Sequence, residues 1–388
     1  MDFALTDEQR QIRDAAQSFL ADVSDSAAVR KAAESVQGYD TKTWQRLGAE
    51  LGWCGIAIAE AHGGLGLGPV ELMLVQEQCG RRLLCAPFFS TVCLAANVLQ
   101  ACASAAARAQ YLPQLAQGNL LASVPLVSTA DGWMDPAAPP QAHRHGLGWR
   151  LESDALRIPE GASAELFFIF ASIDETVTGL FAVPRGAKGV AVTPQRGWDA
   201  TRRFAAVELR GVELGAQQRV DDAARHDAER RSAALARLYI AAEQLGGAQA
   251  CLDLTVAYTL TRKQFGRSVA SFQAVKHRCA EMMVRVEALR SAVYGAAAFA
   301  ADAAAAGPLE LECAMARSLA ADTFFFCAQE AIQLHGGVGF TWEYDPQLYF
   351  KRAQAGSHWL GGAEALRGRI ADLLMADTGS KNANRIAA

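Results

Sequence analysis

The chain has 388 residues, of which 51% are hydrophobic and 20% charged, and a formal net charge of -4 at pH 7. That length accommodates two or three ordinary domains with a substantial core. The near-balanced charge excludes the basic footprint of a nucleic-acid binder, and no apolar run reaches the ~18 residues of a membrane span.

The first periodic segment runs from 6 to 22, where Ile12, Ala15, Ala16, Phe19 and Leu20 recur at helical spacing and Thr6 with Gln9 makes a capping box. Further helical patterns cover roughly 41–51, 70–84, 88–101 and 105–116, so residues 1–120 are predicted to form an N-terminal helical domain. The run Gly63-Gly64-Leu65-Gly66-Leu67-Gly68 lacks the spacing and the preceding strand of a dinucleotide loop, and reads as a flexible turn.

From 121 to about 212 Pro and Gly become frequent, and short runs at 166–171 and 179–183 are rich in Phe, Leu, Ile and Val, which predicts a small β domain over 121–220. A polar link at 221–231 follows. Long Ala-rich helical patterns then cover about 232–262, 269–306 and 308–335, and predict a C-terminal helical bundle over 221–388. The fold class is thus mainly α with a central β domain, an order that several families share.

Nine cysteines without a Cys-x-x-Cys pair and seven scattered histidines predict core thiols and no metal centre. The opening Met-Asp-Phe-Ala-Leu-Thr-Asp-Glu carries no leader pattern, and the expected setting is cytoplasmic.

Two motifs carry chemistry. Arg262-Lys263-Gln264-Phe265-Gly266-Arg267 is expected to close one long helix, and Ser271-Phe272-Gln273-Ala274-Val275-Lys276-His277 to open the next. Guanidinium groups pair donors with phosphate oxygens and an aromatic ring can cover a base, although a basic helix end also complements the helix dipole with no ligand at all. Gln333-Leu334-His335-Gly336-Gly337-Val338-Gly339-Phe340 puts glycines after another helix, where backbone can approach a ligand or simply cap the helix.

Together these motifs resemble the acyl-CoA dehydrogenase family, in which R-x-x-F-G, F-Q and Q-x-x-G-G-x-G hold the ADP half of FAD across a subunit interface. Trp44-Gln45-Arg46-Leu47, Leu51-Gly52-Trp53 and Gly63-Gly64-Leu65-Gly66 are similar to the family's N-terminal pattern. The resemblance implies that Arg262, Gln264, Phe265, Phe272, Gln273, Gln333, Gly336 and Gly337 contact the FAD of a neighbouring chain. It also implies an acyl-CoA substrate, oxidised by α-proton abstraction and hydride transfer to flavin, with an electron-transfer flavoprotein as acceptor. A dimer or tetramer follows, formed with itself or with a related subunit as in heteromeric steroid side-chain dehydrogenases.

The sequence departs from the family at its chemistry. Where many members carry Glu-Gly-Thr there stands Leu360-Gly361-Gly362, and the second known base position is Ala236, directly before Arg237, which matches a family arginine. Leucine and alanine cannot accept a proton. Glu243, seven residues after Ala236 and so on nearly the same helix face, is the expected substitute base, against the reading that it is a carboxylate paired with an arginine. Glu364 is a weaker candidate on an amphipathic helix. In the β domain, Pro125-Leu126-Val127-Ser128-Thr129 and Arg157-Ile158-Pro159-Glu160-Gly161 replace the segments that hold the flavin ring. Two readings follow: a dehydrogenase for a bulky or branched acyl group with Glu243 as base, or a catalytically incomplete subunit that completes the FAD site of a related chain.

Overall fold

A computed structural model describes residues 4–127, 129–130, 132–135, 137–173, 177–221, 226–302 and 309–386. The chain folds as helices, sheet, helices.

The first layer contains α1 (Asp7–Val23), α2 (Ser26–Glu34), α3 (Thr41–Gln45), α4 (Pro69–Arg81), α5 (Asn97–Cys102) and α6 (Ala105–Ala116). α1 starts at the Thr6 capping box, which forms with Gln9 as its spacing predicts. The wide-pitched turns Arg46–Glu50 and Phe89–Ala96 extend α3 and lead into α5. The glycine run is packed rather than loose: Leu65, Gly66 and Leu67 donate backbone bonds to Gly55, Ile58 and Ile56. A Cβ on Gly64 would come within 2.1 Å of the Ile58 carbonyl oxygen, so only glycine fits that approach.

The sheet comprises β1 (Ala122–Ser123), β2 (Gln141–His145), β3 (Gly148–Pro159), β4 (Leu166–Ser172), β5 (Thr178–Pro184), β6 (Val190–Gln195) and β7 (Phe204–Leu214). They join in the order β1-β4-β2-β3-β7-β6, with β5 antiparallel to β4. Trp149, Phe167, Ile169, Phe181 and Val207 fill one face of this sheet, while Phe168, Phe170, Leu180 and Phe204 point into the main core shared with the helices.

The last layer is α7 (His226–Thr261), a hairpin of β8 (Lys263–Gln264) and β9 (Arg267–Ser268), α8 (Gln273–Ala301), α9 (Leu309–His335), α10 (Pro346–Gly356) and α11 (Ala363–Ile386). α7 starts inside the expected polar link, its first turn stabilised by Asp227 and Glu229. α7 crosses α4 so closely that a Cβ on Gly246 would lie 1.8 Å from the Glu77 carbonyl oxygen, and one on Gly80 1.9 Å from that of Glu243. The nine cysteines are free and all but Cys279 are buried; burial pushes the Cys85 thiol up to about 12. Among the described residues no helix is long and apolar enough to cross a membrane.

Candidate functional site

The residues assigned to a cofactor gather at one end of the bundle. α7, α8 and α9 alternate in direction, so the C-terminal ends of α7 and α9 meet the start of α8. Tyr258, on the last turn of α7, stacks on His335 at 4.3 Å between ring centroids, and Arg278 of α8 pairs with Glu330 of α9 at 3.7 Å.

The Arg-Lys-Gln-Phe-Gly motif stands where α7 ends, at Thr261, close to the expected helix end at about 262, and turns back as the β8–β9 hairpin. Phe265 (φ 53°) and Gly266 (φ 75°) form its tip, a left-handed pair that suits a tight two-residue turn. Ser268 donates its hydroxyl to the Thr259 carbonyl at 2.7 Å and the Val269 amide bonds the Arg262 carbonyl, tying the hairpin to the helix end. Phe265 is therefore rigidly placed and yet 90% exposed. Its ring meets Phe272 edge-on at 6.1 Å, and the Arg267 guanidinium covers Phe272 at 4.1 Å.

Arg262, Gln264, Gln273, Gln333, Gly336 and Gly337 are also exposed. A Cβ on Gly336 or Gly337 would meet no atom within 4 Å, so the backbone there is open to an incoming group. Guanidinium, amide groups, a presented aromatic and bare backbone are thus exposed at the same end of the bundle. That donor set fits a diphosphate with an attached ring system.

The positions assigned to a base and a ring lie elsewhere: Arg262 is 25 residues beyond Arg237, about 37 Å along α7 at 1.5 Å per residue. Both base positions, Ala236 and Leu360, are fully buried. Leu360 holds a left-handed φ of 55°, its amide bonds the Val127 carbonyl at 2.8 Å, and its own carbonyl accepts from Arg237 Nε at 3.1 Å. Arg237 also donates to the Ala130 carbonyl at 2.5 Å, and the Leu126 amide bonds the Arg157 carbonyl at 2.9 Å. The segments 125–129 and 157–161 and the loop carrying Leu360 are hence bonded to one another, with Phe204 packed edge-on against Trp359 at 5.2 Å; Ser128 itself lies outside the described residues. Arg317, fully buried, donates to the Gly356, Ser357 and Trp359 carbonyls and to Gln244, which fixes the same loop. Burial, helped by the nearby Arg237 charge, pulls Arg317 down to about 9.

Glu243 takes the paired form of the two weighed from the sequence. Only 3% exposed, it accepts from Arg202 at 2.7 Å, Gln76 at 2.7 Å and Arg352 at 2.9 Å. Arg352 reaches on to Asp199 at 2.8 Å and to Thr201. Burial works to raise the Glu243 carboxyl, but Arg202 and Arg352 outweigh it and hold it below the ordinary carboxylate value. A carboxylate so stabilised as an anion is a poor proton acceptor, and its oxygens are already committed. Glu364 sits exposed in the first turn of α11.

Arg202, Arg352, Asp199, Glu160 and Arg317 were not singled out by the sequence reading. One signal was available: Arg317 in Ala314-Met315-Ala316-Arg317-Ser318-Leu319-Ala320 and Glu243 in Ile240-Ala241-Ala242-Glu243 are lone charges in apolar helices, each of which requires a buried partner.

Two family models match, "Acyl-CoA dehydrogenase, N-terminal domain" over residues 6–119 and "Acyl-CoA dehydrogenase, C-terminal domain" over residues 227–375. The chain is 31% identical over 355 residues to acyl-CoA dehydrogenase IpdE2 of Mycobacterium tuberculosis, covering 91% of this chain and 93% of that one. It is 28% identical to acyl-CoA dehydrogenase FadE34 of the same organism, covering 96% of this chain but 48% of that protein. A chain of the ChsE4-ChsE5 complex from Mycobacterium tuberculosis superposes with a TM-score of 0.87 at 28% identity, over 97% of this chain and 99% of that one.

Proposed function

The chain belongs to the acyl-CoA dehydrogenase family, and from that premise we propose that it is the incomplete member of an FAD-dependent acyl-CoA dehydrogenase assembly, completing the cofactor site of a related chain. The observation that carries this reading is the contrast between its two half-sites. Arg262, Gln264, Phe265, Phe272, Gln273, Gln333, Gly336 and Gly337 form an open face whose donors and ring fit the ADP half of FAD. At the other half-site Ala236 and Leu360 stand where the family's bases stand, are fully buried and offer no carboxylate, and Leu360 is bonded to Val127 and Arg237.

When bound, FAD supplies the hydride acceptor for oxidation of an acyl-CoA α-β bond. This chain's residues act on the far end of that cofactor. Arg262 anchors phosphate oxygens, Phe265 covers the adenine or its ribose, and the Gly336-Gly337 backbone lets the diphosphate approach. α-Proton abstraction and the acyl pocket belong to the partner, and Arg237 and Glu243 serve this chain's own structure. FadE34, about twice this chain's length, supports the pairing, as does the likeness to a chain of the ChsE4-ChsE5 complex. A bulky or branched acyl group, an electron-transfer flavoprotein as acceptor and a cytoplasmic location belong to the same proposal.

The test is expression of the chain alone and together with a related acyl-CoA dehydrogenase subunit, with flavin and subunit ratios measured. The proposal expects no bound flavin alone and one flavin per chain pair together. A flavin-loaded homo-oligomer bleached anaerobically by acyl-CoA, with the bleaching lost in Glu243→Gln, would restore the self-sufficient dehydrogenase instead.

A further inference from the structure

The sheet and the two helical layers meet at one buried cluster of charges: Glu160 at the end of β3, Asp199, Thr201 and Arg202 in the β6–β7 connection, Glu243 on α7 and Arg352 on α10. Arg202 stands between two carboxylates from different layers. Its Nη2 binds Glu243 at 2.7 Å, whereas its Nε faces Glu160 at 3.7 Å, beyond hydrogen-bond reach. Arg202 Nη1 and Glu160 Oε2 are buried and carry no hydrogen bond among the described residues. Arg202 thus keeps one buried donor and Glu160 one buried acceptor uncommitted, and the pairing between these neighbouring side chains is not made in the present geometry.

The surroundings permit that exchange. The flat guanidinium lies over the Phe89 ring at 4.7 Å and the Trp359 ring at 5.2 Å, aromatic neighbours that stabilise a cation without fixing its in-plane position. Charge balance supplies the switch. With Glu160 protonated, two carboxylates face two guanidiniums; with it ionised, three do. The titratable and charged groups facing Glu160 are Arg202, Arg352, Glu243 and the Cys85 thiol, with the Ser90 hydroxyl beside it.

We propose that Arg202 is a two-position latch between the sheet and the bundle, thrown by the proton on Glu160. With the proton on, Arg202 holds α7 through Glu243. With the proton off, the anion at Glu160 draws the guanidinium toward β3 and loosens its hold on α7. Burial pushes the Glu160 carboxyl up to about 7 against the pull of Arg202, Ser90 and Arg352, so the change falls at neutral pH. Trp359 adjoins Leu360 and Glu160 lies within 157–161, so the latch position reaches both segments that close the interior. It acts independently of whether the chain is complete as an enzyme.

Hydrogen exchange of the full-length chain, corrected for the intrinsic pH dependence of amide exchange, tests this on peptides spanning 156–164 and 239–247 between pH 5.5 and 8.5. Protection of 239–247 is expected to fall about tenfold along a single-proton curve with its midpoint near 7. Glu160→Gln should hold the low-pH level throughout, and Ser90→Ala, which removes a group favouring the anion, should move the midpoint up. A flat wild-type profile, or a step that survives in Glu160→Gln, would overturn the latch. Should Glu160→Gln not fold, the Ser90→Ala shift decides, and an unmoved midpoint counts against it.

Discussion

Replacing Phe265 by alanine separates what this side chain does for its own fold from what it does for another molecule. In the protomer the ring is 90% exposed and makes one edge contact, with Phe272 at 6.1 Å. Its removal should therefore change folding stability by no more than about 0.5 kcal/mol, the usual range for a surface site. The left-handed φ of 53° costs alanine what it costs phenylalanine, so backbone strain cancels in the comparison. If the ring covers a partner's cofactor, its loss in the assembly removes a buried aromatic anchor worth about 2–4 kcal/mol, or roughly 30- to 700-fold in affinity. Urea unfolding of the isolated chain reads the first quantity, and FAD titration of the apo-assembly with its partner reads the second. A variant destabilised by more than about 1.5 kcal/mol whose assembly binds FAD normally would refute the reasoning, because the tip would then serve its own hairpin.

Glu243→Gln should leave the buried Arg202 guanidinium without its close anion and Arg352 with Asp199 alone, and cost about 3 kcal/mol in urea unfolding, while turnover per bound flavin in the assembly stays unchanged; a base would show a loss of about 10²- to 10⁴-fold with stability intact. Because its carboxyl is held below the ordinary value, Glu243 contributes stability that is complete above that value and is lost as pH falls through the lowered one, so the variant should also lose part of the acid-unfolding limb. On the proposed reading Leu360→Glu should restore no acyl-CoA-driven flavin reduction in this chain, where Leu360 is fully buried and bonded to Val127 and Arg237; reduction by the variant alone would overturn that reading. Gly246→Ala should drive α7 from α4, with a Cβ 1.8 Å from the Glu77 carbonyl oxygen, and cost at least about 2 kcal/mol by thermal or urea unfolding.

Elements with a strong local cause were readable from the sequence. Thr6 and Gln9 announced α1, and the apolar periodicity of 105–116 announced α6 to the residue. The β8–β9 hairpin was not, because the left-handed pair Phe265-Gly266 departs from the Asn-Gly or Asp-Gly pattern of such turns and follows 36 residues of helix. The exposed half of the site was legible because its residues lie in two short motifs whose chemistry needs no tertiary partner to be recognised. The interior was not, because Arg202, Glu160, Asp199 and Arg352 come from positions as far as 192 residues from one another and acquire meaning only when the sheet folds onto the bundle. Helix-face arithmetic correctly put Glu243 near the Ala236 face, yet it could not say that α10 and the β6–β7 connection would deliver a guanidinium each.

If the site is incomplete as proposed, the two halves of α7 give a physical reason for its form. An interior emptied of ring and substrate cannot stay vacant: an unfilled cavity forfeits packing, and a buried charge without a partner costs several kcal/mol at roughly the scale of a whole domain's stability. On the proposed reading such ligands are replaced from within, and Leu360 bonded to Val127, Arg237 on the Leu360 carbonyl and Arg317 on three carbonyls at 356–359 are the contacts that would do so. The outer end of the helix faces no such demand. Arg262, Gln264 and Phe265 lie exposed in the lone chain, so their loss should leave this chain's fold as it is. Their presentation on a hairpin tied to α7 by Ser268 and Val269 adds nothing to the protomer that a plain turn would lack. On the proposed reading, its physical return comes when a second chain brings a diphosphate to that face.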